Sequence, residues 1–251
     1  MQNKDLTANN LAVVKAMVAS IKDMSEEEMH KLIKGMVQFY NYSVNNQFLL
    51  AHQGCSQVAS FKKWQDIGRQ VKKGAKAAWI FAPNMYRKED EEESTVCGFR
   101  CIPVFDISQT EGKEVERYSM TMDSPLQLRK VKELAVKLGY TVETLPLEIA
   151  KGGYISGRNI VLNGNLSEIE NTGTLIHELC HGQLGHTEAN DAHSRDQKEQ
   201  EAELTTYIVC EAVGVTRRSQ LYLKSWGLSE DIMGEFKKIN KVAKQIISAL
   251  I

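Results

Sequence analysis

The chain has no long apolar run, no paired spacing of cysteines and no excess of one charge. No apolar stretch approaches the roughly 18 residues of a membrane-spanning helix, and the opening sequence MQNKDLTANN lacks the apolar core of a signal peptide. The five cysteines are odd in number and stand mostly in apolar runs, which is typical of reduced thiols in a cytosol. These absences predict a cytoplasmic protein that makes no contact with a membrane.

The composition is that of an ordinary globular protein. Of the 251 residues, 42% are hydrophobic and 25% are charged, and the formal net charge is −1. A chain of this length accommodates two modest domains or one large domain, and it contains no visible internal repeat. A net charge near zero does not by itself indicate nucleic-acid binding, so the distribution of charge along the chain has to be considered.

The run TLIHELCHG, which starts at Thr174, contains the HExxH motif inside an apolar, helix-forming context. Positions i and i+4 of a helix lie one turn apart on the same face, so His177 and His181 can bind one metal ion. Glu178, the next residue round the helix, can then act as general base on a water bound to that ion. The motif predicts a zinc metallopeptidase with one Zn(II) per chain, although Mn(II) or another divalent metal also fits.

A catalytic zinc usually takes three protein ligands, so a third ligand should come from another helix. The acidic segment EQEAE is followed by a helical pattern that ends at Gly214. Glu199 and Glu203 share one face of that helix, whereas Glu201 is rotated away from them. We favour Glu199 as the ligand and Glu203 as the acceptor of a histidine N–H, with Glu203 as the alternative ligand. His186 does not fit the HExxHxxGxxH spacing and is interpreted as a loop or helix-end residue.

A second informative segment, between residues 60 and 88, carries eight basic residues against the single acid Asp66, a local balance of 8 − 1 = +7. The aromatic residues Trp64, Trp79, Phe81 and Tyr86 are interleaved with these cations. Such a mixture suits single-stranded nucleic acid, whose backbone attracts cations and whose bases stack on rings. No recognition-helix motif for duplex DNA is apparent. The predicted nucleic-acid contacts are Lys62, Lys63, Trp64, Arg69, Lys72, Lys73, Lys76, Tyr86 and Arg87. The alternative is a solvated lysine-rich face whose aromatic residues belong to the core.

The spacing of apolar residues and of turn residues predicts an α+β fold in two parts. The N-terminal part is predicted to contain helices over residues 7–22, from a Ser25 to Glu28 capping box onward, after Ser43 and over 60–73, then strands over 77–82 and 96–105 joined by an acidic loop at 88–94. The polar segment 108–124 has few apolar residues and is the predicted linker.

The C-terminal part is predicted to be mainly helical with a small antiparallel sheet. Its predicted elements are a helix over 125–138, a strand over 141–145, a hairpin or edge strand within 152–163, the two helices of the metal site, and helices over 216–226 and 229–250. We therefore predict an N-terminal single-stranded-DNA-binding domain over residues 1–110, a linker over 111–124 and a metallopeptidase domain over 125–251.

The runs NYSVNNQFLL from Asn41, ASFKKW from Ala59, GRQVKKG from Gly68 and IFAP from Ile80 resemble the N-terminal domain of the ArdC antirestriction family. In that family this domain is associated with binding of single-stranded DNA and precedes a zincin-like metallopeptidase domain, so the resemblance covers most of the chain. It implies that an edge strand of the second domain holds an extended peptide substrate by backbone pairing. After His181 the sequence GQLGHTEAND departs from the ArdC pattern.

The sequence thus predicts a single-stranded-DNA-binding, zinc-dependent metallopeptidase-like protein that acts in the establishment of a mobile element, on a protein substrate that the sequence does not identify. One alternative is a non-catalytic antirestriction protein with a structural metal, and another is a regulatory protease that cleaves a mobile-element repressor. Structural zinc sites usually have four ligands, and Cys180 lies on a different helical face from both histidines. The intact Glu178 therefore favours a hydrolase.

Overall fold

A computed structural model of the chain divides into two compact units, Met1–Tyr118 and Ser119–Ile251. The structure describes residues 3–86, 95–114, 127–148, 151–188, 193–215 and 231–251. Both units contain helices and strands, so the predicted α+β class is confirmed. The predicted acidic loop at 88–94, the linker beyond residue 114 and the predicted helix at 216–226 lie outside the described residues.

The first unit is built from four helices and five strands among its described residues. The helices are α1 (Asn3–Ser20), α2 (Glu26–Gln38), α3 (Val44–His52) and α4 (Phe61–Asp66). The strands are β1 (Val58–Ala59), β2 (Arg69–Val71), β3 (Ala78–Tyr86), β4 (Thr95–Asp106) and β5 (Thr110–Gly112). Antiparallel pairing joins β1, β4 and β3 in that order, and a separate antiparallel pair joins β2 to β5. Because β5 pairs with β2, this unit extends past the predicted boundary at residue 110.

The predicted capping box at the start of α2 is confirmed, since Ser25 and Glu28 exchange side-chain and backbone hydrogen bonds. The predicted helix over residues 60–73 is too long. It begins after the N-cap Ser60 but ends at Asp66, because Gly68 adopts a φ of 81°, a left-handed conformation that terminates helices. The basic residues beyond Gly68 consequently lie on the extended strand β2 and in the turn that follows it.

One edge of the β3–β4 sheet is closed by side-chain amides from α3 and from Gln53, the residue that follows it. Asn46 donates to the carbonyl of Phe81 at 2.9 Å and accepts from its N–H at 2.8 Å. Gln53 makes the same pair of bonds to Trp79, at 3.2 and 2.9 Å. These amides occupy the positions that a neighbouring strand would fill, and they satisfy backbone groups that an edge strand leaves unpaired. The underlying core is apolar and comprises Phe39, Leu50, Ala78, Ile80 and Val104.

The second unit contains four helices and three strands among its described residues. They are α5 (Leu128–Lys137), β6 (Thr141–Leu145), β7 (Gly153–Ser156), β8 (Asn159–Asn163), α6 (Glu168–Gln183), α7 (Arg195–Val213) and α8 (Ile232–Leu250). The predicted strand over 141–145 and the predicted hairpin are confirmed. The sheet is mixed and not antiparallel as predicted, because the β7–β8 hairpin turns the chain back and β8 pairs with β6 in parallel.

The edge strand β7 packs closely on α6. A Cβ at Gly153 would lie 2.8 Å from Cγ2 of Thr174 and 2.6 Å from the carbonyl oxygen of Val161, so glycine allows this approach. Capping boxes start the two helices of the metal site. They are formed by Ser167 and Glu170 at α6 and by Ser194 and Gln197 at α7. Among the strands that the structure describes, β7 is thus an edge strand, and it lies beside the helix that carries HExxH. No described helix has the length and apolar character needed to cross a membrane.

Candidate metal centre

The two histidines of the motif lie one turn apart on α6 and are both buried. Their Nε2 atoms are 3.1 Å apart, and their rings meet edge to face with centroids 4.7 Å apart. The opposite side of α6 anchors this arrangement through fully buried apolar residues, Leu175, Ile176 and Leu179. The helix thus presents the lone pairs of His177 and His181 to a common point, as two ligands of one ion require.

Glu199, in the second turn of α7, completes a group of three. Its Oε2 lies 3.6 Å from Nε2 of His177 and 3.5 Å from Nε2 of His181. The ligand atoms of all three residues lie within 4.8 Å of one another. Two ligands at about 2.0–2.1 Å in a tetrahedral site stand about 3.3 Å apart, so these distances fit a small divalent cation. Interactions with the His177 and His181 side chains also hold the pKa of Glu199 well below its usual range.

Glu203, one turn further along α7, faces the other nitrogen of His177. Its Oε1 lies 3.6 Å from Nδ1 of His177, and the hydroxyl of Thr206 lies 3.5 Å from the same atom. Thr206 donates its own proton to the carbonyl of Ala202, so its oxygen can accept from a protonated Nδ1. This geometry favours Glu199 as the metal ligand and Glu203 as the acceptor of a histidine N–H, and not the reverse.

His186 follows α6 in a turn, as expected, but it takes part in the centre more closely than the sequence indicates. The turn at Gly185, where φ is 80°, folds the chain back and buries the His186 ring. Its Nδ1 lies 3.1 Å from Nδ1 of His181, and its Nε2 lies 2.9 Å from Oε2 of Glu201. Burial lowers the pKa of His186. No spacing rule connects these residues in sequence, because the contact depends on the fold of the turn.

The three residues of the group line a cleft of about 760 Å³, together with Glu178. Glu178 is largely buried, at 7% exposure. The β7 side of the cleft is formed by residues 151–155, and two cations of α7, Arg195 and Lys198, line another part of it. A metal-ligand group, a carboxylate and the edge strand β7 therefore border one concave space, which is the arrangement that hydrolysis of an extended peptide requires.

The predicted nucleic-acid contacts of the first unit differ in accessibility. Five lysines are exposed, namely Lys62, Lys63, Lys72, Lys73 and Lys76. Tyr86 is 57% exposed. The guanidinium of Arg69 is engaged by Thr110 and by the carbonyl of Lys113, so Arg69 fastens β2 to β5. Arg87 lies outside the described residues.

The predicted contact of Trp64 with nucleic acid is contradicted by its burial. Trp64 is 1% exposed, and its indole Nε1 donates to the carbonyl of Phe105 at 2.8 Å. A residue that the prediction omits, Phe61, is 46% exposed and packs edge to face on Phe105. Both aromatic residues lie on α4, where Trp64 faces the core and Phe61, in the first turn, is exposed. Helical periodicity could not have separated them, because residues three apart lie on neighbouring parts of one helix face.

Comparisons with known proteins agree with this two-part architecture. Residues 3–125 match the N-terminal domain of anti-restriction factor ArdC, and residues 135–210 match the IrrE N-terminal-like domain, a metallopeptidase-like domain. An uncharacterized protein of Bacillus anthracis is 27% identical over a 277-residue alignment that covers 87% of this chain. The chain spans 46% of the length of that relative.

Solved structures show the same fold over the whole chain. The antirestriction ArdC protein of plasmid R388 is 18% identical and matches with a TM-score of 0.58 in its metal-free form and 0.59 in its Mn(II)-bound form. The match covers 96% of this chain and 97% of the ArdC chain in both cases. The chain thus carries an ArdC-type N-terminal domain followed by an IrrE-like, metallopeptidase-like domain, and it shares the fold of the R388 ArdC protein.

Proposed function

We propose that this chain is a divalent-metal-dependent peptidase that also binds single-stranded DNA through its first unit. The observation that carries the peptidase is the placement of His177, His181 and Glu199 around one point, with Glu178 in the same cleft. A Mn(II)-bound structure exists for the R388 ArdC protein, which supports a divalent metal in this family. Zn(II) and Mn(II) both suit two imidazoles and a carboxylate.

A divalent metal held by His177, His181 and Glu199 would supply a bound water of lowered pKa, about 7 for zinc, and a Lewis acid for the scissile carbonyl. Glu178 accepts a proton from the attacking water on its carboxylate and delivers it to the leaving amide nitrogen. Contacts at Nδ1 of each histidine, from Glu203 and Thr206 for His177 and from His186 for His181, direct the Nε2 lone pairs toward the ligand point.

The strand β7 provides the means of holding a substrate. It lies at one edge of the β6–β8–β7 sheet and lines the cleft. Its outer N–H and C=O groups are oriented to pair with an added extended strand, which would align a peptide backbone beside the histidines. Backbone pairing of this kind does not depend on the side chains of the peptide. The strand therefore does not by itself select a protein substrate, such as a repressor encoded by a mobile element.

A purely structural metal is less well supported by the geometry. Structural zinc sites are usually closed by four protein ligands, commonly with cysteine. Among the described residues the group that can hold an ion contains three, and Cys180 is fully buried on another face of α6. The cleft beside the three ligands also leaves room for water and substrate.

The variant Glu178→Gln tests the peptidase. We expect it to bind one equivalent of metal, because Glu178 is not a ligand, and to lose hydrolysis, because an amide cannot accept the proton. Elemental analysis measures the metal, and mass spectrometry of a diverse peptide library measures cleavage. His181→Ala is the matched control, which should lose both. Loss of metal in Glu178→Gln would show that Glu178 is a ligand and not only a general base. A metal-loaded wild-type protein that cleaves no peptide or protein substrate would exclude the peptidase.

The exposed lysines on α4 and around β2 support the binding of single-stranded DNA. The N-terminal domain of the ArdC family is associated with this activity. Three exposed rings in the same unit, Phe61, Tyr86 and Phe99, are available for stacking on bases. We infer that cations and exposed rings together bind a single strand without reading its sequence, in agreement with an antirestriction role.

A further inference from the structure

A chain of buried polar contacts runs from His181 to α8. Nδ1 of His181 lies 3.1 Å from Nδ1 of His186, and Nε2 of His186 lies 2.9 Å from Oε2 of Glu201. The same oxygen of Glu201 accepts from Nζ of Lys238 at 2.9 Å. The side chains of His186 and Glu201 are 1% and 5% exposed, respectively. Four residues from α6, the following turn, α7 and α8 are thus joined in one network, which is buried at His186 and Glu201 and partly exposed at Lys238.

This network determines where the imidazole protons lie. Glu201 is a carboxylate, since it pairs with Lys238, and it can only accept hydrogen bonds. Nε2 of His186 must therefore carry the proton that Glu201 accepts. A neutral His186 then has a lone pair on Nδ1, and the short contact to His181 requires Nδ1 of His181 to be the donor. The remaining nitrogen of His181, Nε2, is left unprotonated and faces Glu199 and His177.

We propose that His186 is a positioning residue, which fixes His181 in the tautomer and ring orientation that present Nε2 to the metal, and that Glu201 and Lys238 hold His186 in turn. The proposal rests on the metal centre proposed above. A histidine that orients another histidine differs from the carboxylate or carbonyl that usually accepts the outer N–H of a ligand.

The contact between His181 and His186 is shorter than the corresponding contacts of His177. Thr206 and Glu203 lie 3.5 and 3.6 Å from Nδ1 of His177, against 3.1 Å between the Nδ1 atoms of His181 and His186. A ring held by a short hydrogen bond to a buried partner has little freedom to rotate, so His186 restrains the orientation of His181. Loss of the His186 acceptor should therefore weaken metal binding even though His186 does not touch the metal.

Two amide variants separate positioning of His181 from a merely structural role. In His186→Asn the side-chain oxygen can occupy the place of Nδ1 and accept from His181. In His186→Gln the amide reaches the place of Nε2 and can keep the contact with Glu201, but it offers no acceptor at the Nδ1 position. Glu201 keeps its ion pair with Lys238 in both variants, so neither leaves this carboxylate without a partner.

The experiment measures the affinity of the full chain for Zn(II) and for Mn(II) by competition with a chromophoric chelator, and the melting temperature of the metal-free protein. We expect His186→Gln to lose about 10–100-fold in affinity, the usual effect of losing such a partner, and His186→Asn to retain affinity within about threefold of wild type. Co(II) absorption spectra should show the wild-type ligand geometry in His186→Asn and an altered one in His186→Gln.

Equal affinities of the two variants, or tighter binding by His186→Gln, would overturn the proposal, because a structural link to Glu201 would then explain the network. If both variants melt lower but bind metal as wild type does, the network is also structural only. A wild-type protein that binds neither metal would instead refute the metal centre itself. Hydrolysis is not needed for any of these outcomes, so a missing peptidase activity leaves the test intact.

Discussion

Individual carboxylates of α7 occupy different positions beside the two histidines although they are closely spaced. Glu199 and Glu203 share a helix face, yet the first approaches Nε2 of both histidines and the second approaches Nδ1 of His177. We expect Glu199→Ala to lower zinc affinity by at least about 100-fold, because a ligand is removed, and Glu203→Ala to lower it by only about tenfold, because an outer contact is removed. Competition with a chelator measures the zinc affinity of both variants. A larger loss in Glu203→Ala would make Glu203 the ligand and Glu199 the outer contact.

The sequence predicts the centre at this scale because helical spacing is a local property. Positions 177, 181, 199 and 203 follow from the repeat of the helix alone. His186 cannot be assigned in this way, since its contact with His181 depends on the turn at Gly185 and on the burial of Glu201. The prediction for Trp64 is wrong because a basic surrounding does not indicate which side of a short helix faces the core.

At the scale of elements, sequence patterns predict the existence of helices and strands better than their ends. The hairpin of β7 and β8 and the start of α2 follow from alternation and from a capping box. The predicted end of α4 is wrong because the pattern treats Gly68 as an interior residue, whereas its left-handed backbone stops the helix. The parallel pairing of β6 with β8 depends on long-range topology, which alternation alone does not specify.

The amide contacts of α3 with β3 give a prediction at this scale. Asn46→Ala should lower the free energy of unfolding by about 1–3 kcal/mol, because the N–H and C=O of Phe81 lose their partner in a partly buried place. Gln53→Ala is the matched control. Its contacts with Trp79 are exposed, so water replaces the amide and the loss should be about 0.5 kcal/mol. Urea unfolding of both variants measures the difference, and equal losses would show that burial is not the cause.

The whole molecule combines two units with separate chemistries on one chain. Each unit has its own buried core, around Phe48 and Leu50 in the first and around Leu175 and Phe236 in the second. The proposed DNA contacts all belong to the first unit, and the metal group belongs to the second. Substitutions in the first unit should therefore change DNA affinity and leave the metal content at one equivalent, which makes the two proposed activities separable by mutation.

The affinity of the full chain for single-stranded DNA should fall steeply with salt, because cations on the first unit displace counterions from phosphates. We expect Lys62→Ala with Lys63→Ala to reduce the log–log salt slope by about 0.7 for each phosphate that is no longer neutralised. The pair Lys130→Ala with Lys137→Ala removes the same charge from exposed positions of α5 and should leave the slope unchanged. Fluorescence anisotropy of a labelled oligonucleotide at several salt concentrations measures the slopes.

Aromatic residues should act through a different term in the same titration. Phe61→Ala should weaken binding by about 1–3 kcal/mol if one base stacks on its exposed ring, with the salt slope unchanged.

Trp64→Phe should lower stability and leave DNA affinity near wild type, because it removes the buried bond to Phe105 and no surface ring. Equal binding of the oligonucleotide and its duplex would exclude recognition of single strands. A Trp64→Phe protein that folds normally but binds DNA more weakly would show that the Trp64 ring contacts the DNA, in spite of its burial in α4.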